Sequence, residues 1–173
     1  VLLRGDLTAE RLAGYIREVK AQVGPEVLVA TAEIAGVLMQ PQHRVVVDAV
    51  DYLMVHVYPY WDGVAIDDAA WYVADVFHQA SEAAGKRVVI GETGWPSAGP
   101  PNKYAQPSLE NARRFLAEWH AVAADQRIDY YYFAAFDEPW KQENGVGAHW
   151  GIMTKDRQPK HTMTSLRVRP GPL

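Results

Sequence analysis

Acidic residues accompanied by aromatic rings are the most informative feature of this sequence. Glu33, Glu92 and Glu138 each follow a short apolar run, and tyrosine and tryptophan cluster at 58–61 and at Trp95. Aromatic faces stack on the C–H surfaces of sugars, and a pair of carboxyl groups can break a glycosidic bond. This combination favours carbohydrate chemistry.

Other catalytic chemistries find little support in the sequence. The six histidines do not recur at the spacings of zinc ligands, and no G-x-S-x-G segment marks a serine nucleophile. Glycine-rich phosphate cradles and basic clamps for phosphate are also missing. We therefore expect neither a cofactor nor a metal.

Composition narrows the possible partners. The 173 residues are 49% hydrophobic and 22% charged, as in one globular domain, and they contain no cysteine for a disulfide or a thiolate metal site. A net charge of −4 without a basic cluster gives no reason to expect nucleic acid. Because no apolar run approaches the roughly 18 residues of a membrane-spanning helix, we expect no membrane insertion.

Strand and helix signals alternate four times along the chain. Amphipathic stretches with helical periodicity separate the strand-like runs. Thr8 and Ser108 are plausible caps of two of these helices, Gly24 is the expected stop of the first, and helical spacing places Phe115 and Trp119 in the core. The rhythm predicts parallel β/α units, in which the C-terminal ends of the strands meet at one edge of the sheet. We expect the acids and rings to converge there. The strand-like runs lie at 27–33, 52–58, 86–90 and 129–136.

Four segments that follow or overlap these runs resemble glycoside hydrolase family 17, the β-1,3-glucanases and related glucan transglycosylases. The most specific is GETGWPS at 91–97, which is similar to the nucleophile signature of that family. The other segments are 55–61, 132–141 and 149–151, and the resemblance runs from Val1 to about Thr162.

The resemblance implies a role for each residue at the strand ends. Glu92 would be the nucleophile of a retaining mechanism, with Tyr58 beside it, and Glu138 and Lys141 would be polar residues near the reacting sugar. Glu138 is also one candidate for the second catalytic carboxyl. Glu33, which could equally be a structural acid, or a carboxylate of a symmetry-related copy is another. Four further rings would wall the substrate subsites: Tyr60, Trp61, Trp95 and Trp140.

The sequence departs from the family pattern at its beginning. Family members carry the acid/base glutamate in an Asn-Glu pair that closes the fourth strand. In those proteins a segment similar to residues 1–6 of this sequence follows the pair. The four strands would then correspond to strands 5–8 of a (β/α)8 barrel. We expect a single half-barrel domain over 1–173, with a weakly structured tail at 155–173, completed by a homodimer or a higher oligomer.

Three functions are compatible with these observations. The first is a retaining glycoside hydrolase that acts on β-1,3-linked glucan or β-glucosides, and the second is a carbohydrate-binding or scaffold half-barrel without turnover. The third is a β-glucan transglycosylase. The resemblance also implies an extracellular or periplasmic location.

Overall fold

The computed structural model describes residues 1–160, and in this range four strands alternate with helices. The strands form one sheet in the order β1-β2-β3-β4, and the β1–β2 and β2–β3 pairs are parallel. The predicted α/β fold with four parallel units, corresponding to half of a β/α barrel, is confirmed. The strands are β1 (Ala30–Ile34), β2 (Tyr52–His56), β3 (Val88–Thr93) and β4 (Tyr130–Tyr132).

The helices begin and end where local side chains allow it. Thr8 accepts a hydrogen bond from the Arg11 N–H (3.3 Å) and Ser108 accepts one from the Asn111 N–H (3.0 Å), so both predicted caps are confirmed. Gly24, with a φ of 79°, ends the first helix. The helices are α1 (Ala9–Val23), α2 (Ala35–Leu38), α3 (Arg44–Ala49), α4 (Pro59–Asp62), α5 (Ile66–Ala84) and α6 (Leu109–Gln126), with 3-10 turns at Pro41–His43, Glu143–Gly145 and Gly147–His149.

The strands differ from their predicted bounds at both ends of the sheet. β1 begins at Ala30, three residues later than predicted, and β4 covers three residues where eight were expected. β3 instead continues past its predicted end through Glu92 to Thr93. Hydrogen bonds between strands set these limits, and an apolar run does not reveal where its neighbour stops pairing.

The chain divides into two compact units. The first contains Val1–Val57, Val73–Thr93 and Ile128–Tyr131, and its core is aliphatic: Leu53, Val55 and Ile90 from the strands are fully buried. Residues 88–91 of β3 are buried in succession, which is typical of a parallel strand that is covered on both faces, whereas β2 buries only alternate residues. Helix α1 packs against α3 in this unit.

The second unit contains Tyr58–Tyr72, Gly94–Arg127 and the residues from Tyr132 on, and its core is aromatic. The ring of Phe115 lies 5.8 Å from that of Trp95 and 6.3 Å from that of Tyr132. Phe115 and Trp119 are fully buried, as their helical spacing predicts.

Two further observations apply to residues 1–160. Within this range, none of the helices combines the length and the apolar character needed to cross a bilayer, and His, Asp and Glu nowhere group in threes that could hold a metal ion. The expectation of one domain over 1–173 stays a prediction, and residues 161–173 of the predicted tail lie outside the described residues.

Candidate active site

A β-bulge in β3 determines where the Glu92 side chain lies. Val55 of β2 pairs with Ile90, but the next residue of β2, His56, pairs with Glu92, so that Gly91 is left without a partner in the register. In a regular register Glu92 would pair with Val57, on the same face as the buried Val55. The extra residue moves the carboxylate to the face of His56, and bulges commonly re-aim side chains in this way.

Glu92 and His56 are in contact on that face. Oε2 of Glu92 lies 3.3 Å from Nδ1 of His56, with 36% of the glutamate side chain and 20% of the histidine side chain exposed. Gly91 fits closely behind them, since a Cβ there would lie 3.0 Å from Cβ of Met54 and 3.1 Å from Cδ2 of His56. The result is an accessible carboxylate whose orientation is restrained by an imidazole. The bulge that joins His56 to Glu92 has no sequence signal other than Gly91.

Aromatic rings in the second unit form a cluster around Trp150. The Trp150 ring lies 5.2 Å from Tyr58, 5.9 Å from Tyr60, 6.0 Å from Trp61 and 6.1 Å from Phe133, mostly edge to face. Trp150 is 2% exposed, and among residues 1–160 its indole N–H has no hydrogen-bond partner. The ring therefore acts by packing, and it supports the rings at 58–61.

The four rings predicted as subsite walls separate into two buried and two exposed ones. Trp95 is 1% exposed and donates from Nε1 to the Gln106 carbonyl (3.2 Å), while Tyr60 is 2% exposed and donates to the Pro100 carbonyl (3.0 Å). A buried ring has no free face for a sugar, so any contribution of these two rings to the subsites would come from packing and not from stacking. Trp61 and Trp140 keep 37% and 73% of their surface exposed.

Glu138 and Lys141 form an ion pair one turn apart. Nζ of Lys141 lies 2.6 Å from Oε2 of Glu138, and about a quarter of each side chain is exposed. The same ammonium sits 4.7 Å from the centroid of the Phe133 ring, within cation–π range. Partial burial and two partners make this pair better ordered than an ordinary surface salt bridge.

Glu33 is engaged with the main chain. Its Oε2 accepts hydrogen bonds from the Leu2 N–H (2.9 Å) and the Leu3 N–H (3.3 Å), and its partner in the sheet is the buried Val55. It therefore lies on the strand face opposite to that of His56. Burial raises the pKa of this carboxyl, but hydrogen bonds to its charged form, among them those from the Ile34 and Leu3 N–H groups, outweigh burial and lower the pKa. These contacts favour the structural alternative over the site role.

A buried lysine in the second unit joins two loop residues in a clamp that no sequence pattern predicts. Nζ of Lys160 donates to Oδ1 of Asp137 (2.5 Å) and to Oγ of Ser97 (2.7 Å), and the lysine side chain is 9% exposed. Asp137 also accepts from the Gly151 N–H (3.0 Å), and the Ser97 N–H donates to the His149 carbonyl (2.9 Å). The clamp fixes the residues on both sides of Trp150.

Comparison with known proteins places this site in a family. Residues 1–151 match the model of the BtgE/BtgC glycoside hydrolase domain. The chain belongs to that family. The resemblance to glycoside hydrolase family 17 is thereby confirmed.

Named relatives and solved structures match most of this chain. A glucan 1,3-β-glucosidase of Arthroderma benhamiae is 33% identical over 92% of this chain and 57% of the relative. A family 17 β-1,3-glucanosyltransferase from Rhizomucor miehei is 41% identical with a TM-score of 0.83, over 92% of this chain and 58% of that structure. An active-site mutant of the Rhizomucor miehei enzyme in complex with laminaritriose is 40% identical with the same TM-score and coverage. The chain thus spans somewhat more than half the length of these relatives.

Proposed function

We propose that this chain acts on β-1,3-linked glucan as a retaining glycosidase, with Glu92 as the nucleophile. The observation that carries the proposal is the bulge at Gly91, which presents the Glu92 carboxylate on the face of His56 within the family signature GETGWPS. Relatives that share this region are named glucan 1,3-β-glucosidases. A solved relative binds laminaritriose, a β-1,3-linked oligosaccharide.

The proposed first step is attack of a Glu92 oxygen on the anomeric carbon. The bond from that carbon to the glycosidic oxygen breaks, the leaving sugar takes a proton from a second carboxylic acid, and a covalent glycosyl ester remains. Water then hydrolyses the ester with net retention of configuration. Glu138 stays the proposed second carboxyl in this chain, and Tyr58, Trp61, Trp140 and Lys141 are proposed to contact the sugar.

An activated substrate tests the nucleophile separately from the acid. A suitable substrate is a 2-deoxy-2-fluoro-β-laminaribioside that carries a dinitrophenolate leaving group. Dinitrophenolate departs without taking a proton, so labelling needs only the nucleophile. We expect the protein to gain the mass of one fluorinated disaccharide, and peptide mapping should place it on Glu92. Glu92→Gln should remove the label, whereas Glu26→Gln, at an exposed acid of the same unit, should keep it. Labelling at another residue would refute this role of Glu92.

The similarity to a glucanosyltransferase supports transglycosylation as a second candidate function. Hydrolysis and transfer share the glycosyl ester and differ in whether water or a sugar hydroxyl attacks it. Incubation with laminarihexaose followed by mass spectrometry separates them: longer products indicate transfer, and shorter products alone indicate hydrolysis. Binding of the hexasaccharide with neither labelling nor turnover would establish the sugar-binding module instead.

We also propose that the edges of the sheet are paired in solution. β1 and β4 are the outer strands, and Leu28, Ile34 and Tyr131 near them are 60%, 39% and 63% exposed. Sheet edges with apolar side chains favour association, and two copies of this chain could pair them symmetrically. Light scattering at micromolar concentration should give the mass of a dimer or a higher oligomer, and a monomeric mass would contradict this.

An extracellular location is proposed on the family membership alone. Secretion should leave an epitope-tagged, full-length form of the protein in the culture medium or cell wall of its host. Recovery of the tag entirely from the cytosol would contradict it.

A further inference from the structure

We propose that the segment 100–105 and the turn 59–63 together form an additional sugar subsite, with Tyr104 as its stacking residue. The ligand would be a distal glucosyl unit of a β-1,3-glucan chain. This inference rests on the proposed function and extends it to a residue outside the nucleophile signature and the ion pair.

Asn102 binds the segment to helix α4. Nδ2 of Asn102 donates to the carbonyls of Tyr60 (2.8 Å) and Trp61 (2.9 Å), so both amide hydrogens are used on consecutive residues of α4. Asn102 and Ala105 exchange two backbone hydrogen bonds of 2.9 Å, which close a tight turn. Ala105 is fully buried at the end of that turn. The turn is therefore anchored at both ends.

Tyr104 lies in the turn, and its backbone is anchored as well. Its N–H donates to the Gly63 carbonyl (3.2 Å), and the Tyr60 hydroxyl donates to the Pro100 carbonyl (3.0 Å) at the start of the segment. Gly63 has a φ of 77°, and a Cβ there would run into the Lys103 side chain. Glycine at 63 thus permits the close approach of the two segments.

The Tyr104 side chain is nevertheless 78% exposed, while Trp61 on the neighbouring turn is 37% exposed. The main chain under both rings is held by hydrogen bonds, so little backbone entropy is lost when a ligand covers them. Tyrosine also offers a large apolar face with only two side-chain torsions to restrict. A surface of this kind suits a neutral ligand with C–H faces, such as a glucosyl unit.

Length-dependent binding tests the subsite. Glu92→Gln serves as the parent protein because it should bind oligosaccharides without consuming them, and calorimetry compares laminaritriose with laminarihexaose. Adding Tyr104→Ala should weaken hexaose binding about five- to tenfold and change triose binding less than about twofold. Adding Tyr104→Phe should preserve both affinities, because stacking needs the ring and not the hydroxyl.

Trp71→Ala is the matched control, since Trp71 is 55% exposed on α5 in the same unit but lies outside both segments. It should leave both affinities unchanged. Equal losses for the two ligands with Tyr104→Ala, or no loss for the hexaose, would overturn the subsite while the proposed function stands. Failure of the parent protein to bind either oligosaccharide would overturn both.

Discussion

Nδ1 of His56 and Oε2 of Glu92 lie 3.3 Å apart because the register between β2 and β3 shifts by one residue at Gly91. The contact depends on Gly91, because the side chains of Met54 and His56 leave little room for a Cβ at that position. Gly91 belongs to the family signature, so its position in the bulge gives a physical reason for that residue type.

A larger side chain at position 91 should disturb this contact. Gly91→Val would bring methyl groups against Met54 and His56, where even a Cβ comes within 3.0 and 3.1 Å. We expect a loss of about 1–3 kcal/mol in the free energy of unfolding and at least a tenfold drop in kcat/KM. Urea denaturation and a reducing-sugar assay measure the two effects.

The control for this change is the same kind of substitution where space is open. A Cβ at Gly14, within α1, would meet nothing within 4 Å, so Gly14→Ala should stabilise the protein by about 0.5–1 kcal/mol. Wild-type stability and activity for Gly91→Val would refute the role of the bulge.

The lysine clamp should contribute far more to the free energy of unfolding than a surface ion pair does. Lys160→Met leaves the Asp137 carboxylate, 15% exposed, without its cation, and we expect a loss of about 3 kcal/mol in the free energy of unfolding. Lys155→Met breaks a pair with Asp156 in which both side chains are more than 60% exposed, and should cost less than about 0.5 kcal/mol. Asp137→Asn in the Lys160→Met background should recover part of the loss. Equal effects at the two lysines in guanidinium denaturation would contradict the clamp.

The Glu33 carboxylate should make stability depend on acid pH. Main-chain N–H groups donate to its charged form and lower its folded-state pKa below the ordinary value of 4.5, so its contribution is complete above pH 4.5 and is lost as the pH falls below that value. Glu33→Gln should cost about 2 kcal/mol at pH 6 and much less near pH 2.5. Denaturation at several pH values measures this loss beside that of Asp129→Asn. Asp129 forms an exposed ion pair with Arg87, so its loss in unfolding free energy should hardly change with pH. A pH-independent loss for Glu33→Gln would contradict the lowered pKa of Glu33.

Buried and exposed tryptophans should respond differently to truncation. Trp95→Ala removes a ring that is 1% exposed and packs on Phe115, and should cost about 3–5 kcal/mol of stability. Trp140→Ala removes a ring that is 73% exposed, and should leave the melting temperature nearly unchanged while raising KM for glucan several-fold. Melting curves and steady-state kinetics decide this, and an unchanged KM for Trp140→Ala would remove that ring from the proposed subsites.

Local chemistry made much of the fold predictable. The caps Thr8 and Ser108 and the glycine stop at Gly24 involve neighbouring residues only, and the structure has all three where the sequence places them. Strand bounds were less accurate, since pairing depends on the neighbouring strand. The core role of Phe115 and Trp119 followed from helical periodicity, whereas the burial of Trp95 and Tyr60 could not be read from loop-like surroundings.

The sequence by itself determined the order of the β/α units, the family and the identity of the proposed nucleophile, because these depend on residue type and on spacing along the chain. Only the tertiary structure decided which strand face carries Glu92, which rings remain exposed, and that Glu33 and Lys160 bind distant main-chain and side-chain partners. Those outcomes depend on register and on contacts between residues far apart in sequence, and a shift of one residue in a strand reverses every face.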